Sequence, residues 1–261
     1  MPSFAKLNNF RQLAIVKGMV VSNVAHADES QTEKGQIAEA DYMQKLSAES
    51  AEYQAMPPKL AKYGRLQRFM EALKKDIYPE PLAEPHNSIT RKMVSKLLAR
   101  DEVKPRDKVL DIGCGQGLAL ELFKEAGLDP TGITLGEDYR ACKTKGLNVY
   151  EMDQSFLEFE DREFDIVWCR HSIEHSIFPL FTLSEFHRVL KEAGLLYIEV
   201  PAPETSCHHE RNQNHYSVLG KSMWVSLFSK SNFKNVYLFD INFQVPAGPD
   251  MYWSFLLRRG S

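Results

Sequence analysis

From residue 87 onward, short apolar runs alternate with longer stretches in which apolar residues recur every three or four positions. A run of four to eight apolar residues between turn formers predicts a buried strand, and the longer period predicts a helix packed by one face. On this basis "KVLDIG" (108–113), "PTGITLG" (130–136), "LNVYEM" (147–152), "FDIVWCR" (164–170) and "LLYIEV" (195–200) read as strands, followed by "VYLFDI" (236–241) and "YWSFLLR" (252–258). Helices are predicted from Asn87 or Ser88, as the cap, to Leu98, and over 118–127, 137–146, 179–194 and 221–233. Gly127, Gly146 and Gly194 mark helix ends and Pro179 a helix start. Strands alternating with helices imply an α/β fold: a mostly parallel sheet with helices on both faces.

Upstream the texture differs. Residues 1–35 read as irregular or weakly helical, residues 36–55 as a helix stopped by Pro57-Pro58, and residues 60–76 as a further helix. Pro79, Pro81 and Pro85 mark a linker. Residues 1–85 are therefore expected to form an N-terminal helical extension, a lid over the site, and residues 86–261 the α/β domain.

Composition narrows the class. An apolar fraction of 43%, a charged fraction of 26% and a net charge of −3 are those of a soluble globular protein and argue against a dedicated nucleic-acid binder. The local exception, residues 57–108 with 13 Lys/Arg against 7 Asp/Glu, reads as solvated helix faces. No run of 18 apolar residues offers a membrane span. "LAIVKGMVVSNVAHA" has the outline of a secretory signal, but Lys17 interrupts its apolar stretch. The four cysteines form no C-x-x-C pair, so free thiols and a cytoplasmic location are expected.

The strongest chemical signal is "VLDIGCGQG", a buried strand running into Gly113, Gly115 and Gly117. Glycines there permit a tight turn and close backbone approach to a ligand at a helix N-terminus. The spacing is G-x-G-x-G rather than the G-x-G-x-x-G of dinucleotide sites. Asp111, ahead of the loop, suits a cationic or hydrogen-bond-donating ligand better than a pyrophosphate.

"LDIGCGQG" resembles the first motif of the class I S-adenosylmethionine-dependent methyltransferases. "EFDIVWCRHSIEH" resembles their fourth-strand motif, and "FHRVLKEAGLLYIEV" their helix-to-strand segment, with Glu192 and Ala193 in place of the usual Pro and first Gly. The three stand in the family's order from about residue 88 to about 235. The resemblance implies a Rossmann-like seven-stranded sheet with its last strand antiparallel. It also implies that S-adenosyl-L-methionine lies across the carboxyl ends of the strands. By resemblance, Asp111, Gly113, Cys114, Gly115 and Gly117 face its methionine part. Asp153 takes the adenine amino group with Gln154 beside it, and Arg170 contacts the cofactor or a carboxylate. The family's ribose-binding acid falls at Thr134, followed by Leu135, with Glu137 and Asp138 close behind. "GITL" followed by acids resembles the cyclopropane-fatty-acid-synthase branch.

"RHSIEHS" (170–176) then falls where cofactor and acceptor should meet. Histidine is suited to taking a proton near neutral pH, and His171 is the first candidate base, while Glu174 and His175 are expected to hold the turn. A second polar run, "CHHERNQNHYS" (207–217), follows the fifth strand and supplies His215 as the other catalytic candidate. No spacing in either run matches a metal motif, so no metal is expected. The function expected is methyl transfer to oxygen or nitrogen of a small-molecule acceptor, sugar or lipid-linked. The alternatives are a non-catalytic cofactor-binding module, or a protein or nucleic-acid methyltransferase.

Overall fold

The computed structural model describes residues 58–73, 77 and 82–261 of the chain. The signal-like stretch and the helix expected over 36–55 lie outside the described residues. Contacts divide the chain between Arg68 and Phe69. Helix α1 runs over Pro58–Leu73 and opens on a proline, whose missing N–H costs nothing at a first helical position. All that follows concerns the second unit, Phe69–Ser261.

Helix α2 (His86–Leu98) starts before the expected cap. Pro85 holds the N-cap position and no side chain caps the helix; instead the Ser88 N–H donates to Glu84 Oε2 at 3.2 Å. Then come β1 (Lys108–Ile112), α3 (Leu118–Glu125), β2 (Asp129–Thr134), α4 (Gly136–Thr144), β3 (Val149–Glu151), β4 (Phe164–Arg170) and a 3-10 turn (Ile173–His175). Helix α5 (Pro179–Val189), β5 (Leu190–Pro201), α6 (Lys221–Lys230), β6 (Phe233–Val245) and β7 (Gly248–Arg259) complete it. The helix expected to reach Gly194 ends at Val189 instead. Leu190 turns extended and pairs with Phe164, so its buried side chain is claimed by the sheet edge of β4 rather than by the helix.

The seven strands lie in the order β3-β2-β1-β4-β5-β7-β6, and only β7 runs antiparallel to its neighbours. Successive strand residues point to opposite faces. Leu110, Val167 and Cys169 therefore pack with Phe186, Trp224 and Phe228 of α5 and α6. Val109, Ile166 and Trp168 pack with Met93 and Leu97 of α2 and Phe123 of α3. The same alternation carries Asp111, Arg170 and Glu199 onto the α2–α3 face, two residues beyond Val109, Trp168 and Tyr197. Between β1 and β4 the strand order reverses, and the crevice outside the strand ends at such a point is the usual ligand position in open α/β sheets.

Candidate active site

The loop after β1 is built on left-handed backbone. Gly113, Gly115 and Gly117 have φ of 66°, 50° and 86°. A Cβ on Gly113 would lie 2.5 Å from Ser172 Oγ, and one on Gly117 2.3 Å from Leu147, whereas one on Gly115 would meet nothing within 4 Å. Gly113 and Gly117 are thus small for packing, and Gly115 leaves open space.

Two cavities meet at Gly113, Gly115 and His171. The smaller, of about 190 Å³, is lined by Thr134, Leu135, Asp138, Asp153 and Gln154 as well as by Met152 and Ile177. The larger, of about 740 Å³, is lined by Asp111, Cys114 and Arg170 from the sheet side, His86 from α2, and His209, His215 and Tyr252. Asp111 is 3% exposed, and its Oδ2 has no hydrogen-bond partner among the described residues. Burial pushes its carboxyl well above the usual range, against a smaller opposing pull from Arg170.

A buried charge network crosses the strand ends. Glu199, wholly buried, forms an ion pair with Arg170, whose Nε lies 2.7 Å away, and hydrogen bonds with His171 Nε2 at 2.9 Å and the Tyr197 hydroxyl at 2.7 Å. Burial acts to raise the Glu199 carboxyl, but Arg170 and then His171 outweigh it and hold it below its usual range. His171, in a left-handed bend (φ 50°), also faces the buried Glu174 carboxylate, Nδ1 to Oε1 3.4 Å. Burial disfavours its charged form, yet the bonds to Glu174 and Glu199 prevail and its pKa is pushed up to about 9. His215 has the opposite setting. Its Nδ1 donates to the His209 carbonyl at 3.0 Å, its Nε2 lies 3.3 Å from the Asn212 amide, and burial first of all lowers it to about 4.

Comparison with known proteins identifies the family and the fold. A family model described as a methyltransferase domain matches residues 82–247. The chain belongs to the class I S-adenosylmethionine-dependent methyltransferases. A ubiquinone biosynthesis O-methyltransferase of Methylococcus capsulatus is 31% identical over 98 residues. That match takes in 34% of this chain and 41% of the relative, and the chain spans less than two thirds of the length of the curated relatives it matches. Solved structures share the fold. One is a SAM-dependent methyltransferase from Archaeoglobus fulgidus, with TM-score 0.54 and 19% identity, over 66% of this chain and 94% of that one. Another comes from Methanosarcina mazei, with TM-score 0.52 and 19% identity, over 61% and 95%. Membership of this family implies S-adenosylmethionine as the cofactor. Among the described residues no helix is long and apolar enough to cross a membrane.

The fold brings most of the sequence-selected residues to these cavities, in two groups. Thr134, Leu135, Asp153 and Gln154 share the smaller one, and Asp111, Cys114, Arg170 and His215 the larger. Gly117 lines neither; it serves as the N-cap of α3, against Leu147 and Cys142. Gln154 is bound through both amide atoms to Ser172, and Asp153 Oδ1 accepts the Ser155 N–H at 2.8 Å. Of the two acids after β2, Asp138 lines the cavity and Glu137 does not. His171 and His175 do not share a helix face: the first joins Glu199, while the second donates from Nδ1 to the Asn214 carbonyl, 2.9 Å away. Sequence reasoning missed Glu199, His86 and Tyr252. For Glu199 a signal existed, since a carboxylate inside the apolar run "LLYIEV" must find partners once buried. All four cysteines are free thiols.

Proposed function

We propose that the enzyme methylates a hydroxyl oxygen of a small-molecule acceptor seated in the larger cavity, with the nucleoside end of the cofactor in the smaller cavity and its methionine end where the two meet, against Asp111. The observation that carries this reading is the meeting of the two cavities at Gly113, Gly115 and His171, beside the partnerless Asp111 Oδ2. The residues present fit the cofactor. A buried carboxylate oxygen without a donor suits the ammonium of a methionine moiety, and the open space at Gly115 admits close approach to the backbone. Bound there, S-adenosylmethionine supplies a methyl group already activated on a sulfonium.

Asp111, Gly113 and Gly115 would hold the methionine end, with Cys114 and Arg170 behind it. Thr134, Leu135, Asp138 and Asp153 would enclose the nucleoside end, with Gln154 fixing Ser172. The oxygen acceptor is supported by the matched O-methyltransferase relative. His171, charged at neutral pH with both ring nitrogens turned to carboxylates, is a positioning residue. His215, which burial keeps neutral, is the one of the pair able to accept a proton.

Calorimetric titration with S-adenosylhomocysteine tests the cofactor assignment. Wild type should bind, and Asp111→Asn should bind at least tenfold more weakly. Unchanged binding by the variant refutes the assignment. Radiolabelled methyl transfer to a panel of phenols, sugars and polyprenyl-linked alcohols tests the acceptor; label found only on nitrogen acceptors would refute the oxygen reading.

A further inference from the structure

Three residues left unused by methyl transfer meet on the wall of the larger cavity. Cys207 and His209 lie on the loop after β5, and Asp250 near the start of β7. Their ligand atoms, Cys207 Sγ, His209 Nε2 and an Asp250 carboxylate oxygen, all lie within 4.8 Å of one another. His209 Nε2 is 3.0 Å from Asp250 Oδ2, and the Asp250 side chain is 1% exposed. The backbone builds this arrangement. Ala202 N–H donates to the Met251 carbonyl at 3.0 Å and Ser206 N–H to that of Pro249 at 3.3 Å, fastening the loop to β7 on both sides of Asp250. At Gly248 a Cβ would lie 2.6 Å from Ser206 Oγ, so the close approach depends on glycine.

Thiolate, imidazole and carboxylate together suit zinc. Bonds of about 2.0–2.3 Å in a tetrahedron set ligand atoms roughly 3.3–3.8 Å apart. Three atoms already within 4.8 Å reach that spacing by small side-chain rotations. We propose that Cys207, His209 and Asp250 bind a divalent cation of the zinc type, with a fourth position open to the larger cavity. Structural zinc sites close with four protein ligands, whereas three ligands and an open position mark a site that takes an exogenous oxygen. That the oxygen is the acceptor's rests on the cavity assignment made above; the ion site itself does not. Sequence spacing carries no such motif because Asp250 lies 41 residues beyond His209 and arrives with the β6–β7 hairpin.

Glu174, His175 and His215 form a second group of possible ligands of similar span, without sulfur. There the His215 Nε2 faces the Asn212 amide at 3.3 Å. Sulfur therefore separates the two. The full chain, stripped with a chelator, is titrated with cobalt(II) and followed by absorption, with circular dichroism to verify that each variant folds. One equivalent should bind with tetrahedral d–d bands and a near-ultraviolet thiolate-to-cobalt band. Cys207→Ser should abolish the thiolate band, and Asp250→Asn should weaken binding about tenfold or more. Glu174→Gln should change neither. If Asp250→Asn does not fold, the Cys207→Ser spectrum decides alone. No binding of cobalt or zinc overturns the proposal. So does a spectrum that keeps its thiolate band in Cys207→Ser, or one without that band that disappears in Glu174→Gln. None of these readouts requires methyl transfer.

Discussion

Arg170 on β4 and Glu199 on β5 are sheet partners in register, their charges 2.7 Å apart and the carboxylate wholly buried. The guanidinium also donates from Nη1 to Thr90 Oγ1 of α2 at 2.8 Å, tying the helix to the strand ends. Glu199 is thus the shared anion of a network in which Arg170 and His171 are the cations. Removing one partner of a buried pair leaves the other charge uncompensated, at about 3–5 kcal/mol. Glu199→Ala should therefore destabilise the protein by about that amount in urea unfolding, far more than loss of an exposed pair. A loss below about 1 kcal/mol would show that solvent reaches the network.

His171 predicts an alkaline loss of stability. Its folded pKa, about 9, lies above the ordinary 6.5, because Glu174 and Glu199 together outweigh the burial that opposes its charge. The folded state therefore holds the proton more tightly than the unfolded state. The stabilisation is fully present below 6.5 and is lost as pH rises through about 9, on the order of 3 kcal/mol in all. Urea unfolding from about pH 6 to about pH 10 should show this decline. His171→Gln should be less stable at the acid end and nearly flat across the range. An equally steep decline in the variant would assign it to another group.

Much of the fold was legible because it rests on local pattern. The apolar run of β4 and the strand-to-glycine step after β1 are visible in a single sequence, and both fall where the pattern puts them. The end of α5 was not, since "LKEAG" continues a helical pattern and only pairing with Phe164 pulls Leu190 into the sheet. The site divides in the same way. Asp111 and the glycines announce themselves by adjacency. Glu199, His86 and Tyr252 matter because α2, β5 and β7 converge; His86 Nδ1 and the Tyr252 hydroxyl, 3.3 Å apart, are separated by 166 residues. Cap chemistry misled as well, for Asn87 and Ser88 lie inside α2 rather than ahead of it.

Two glycines of one loop should respond differently to the same substitution. In Gly113→Ala the new methyl would sit 2.5 Å from Ser172 Oγ, whose serine is itself held by Gln154. Either Ser172 moves or the loop does, and with the left-handed strain at φ 66° added a loss of about 2–5 kcal/mol of stability is expected. Gly115→Ala meets nothing, so stability should fall only by the left-handed strain of about 1–2 kcal/mol. Its methyl nonetheless points into the open space where the cavities meet, so S-adenosylhomocysteine affinity should drop at least tenfold. Thermal melts with and without the ligand read both effects. Full ligand stabilisation in Gly115→Ala would contradict the placement of the cofactor.

Ala193 marks a place where this chain carries strain that a single change should relieve. It sits at φ 59° in the tight turn between α5 and the paired part of β5, a region where an L residue with a Cβ is disfavoured by about 1–2 kcal/mol. Its neighbour Gly194 has no room for a side chain, since a Cβ there would lie 2.9 Å from the Lys191 carbonyl and 3.0 Å from that of Asp165. The turn therefore cannot relax by moving toward the sheet, and Ala193 must keep the left-handed conformation. Glycine adopts it freely, although it gives back part of the gain through a more flexible unfolded chain. Ala193→Gly should raise stability by about 0.5–1 kcal/mol, a few degrees at most in a protein of this size, and leave cofactor binding unchanged. Gly194→Ala should do the reverse and lower it by more than 1 kcal/mol, roughly the cost of overpacking against fixed backbone. A destabilised Ala193→Gly, measured by urea unfolding beside wild type, would mean that the turn takes another conformation in solution.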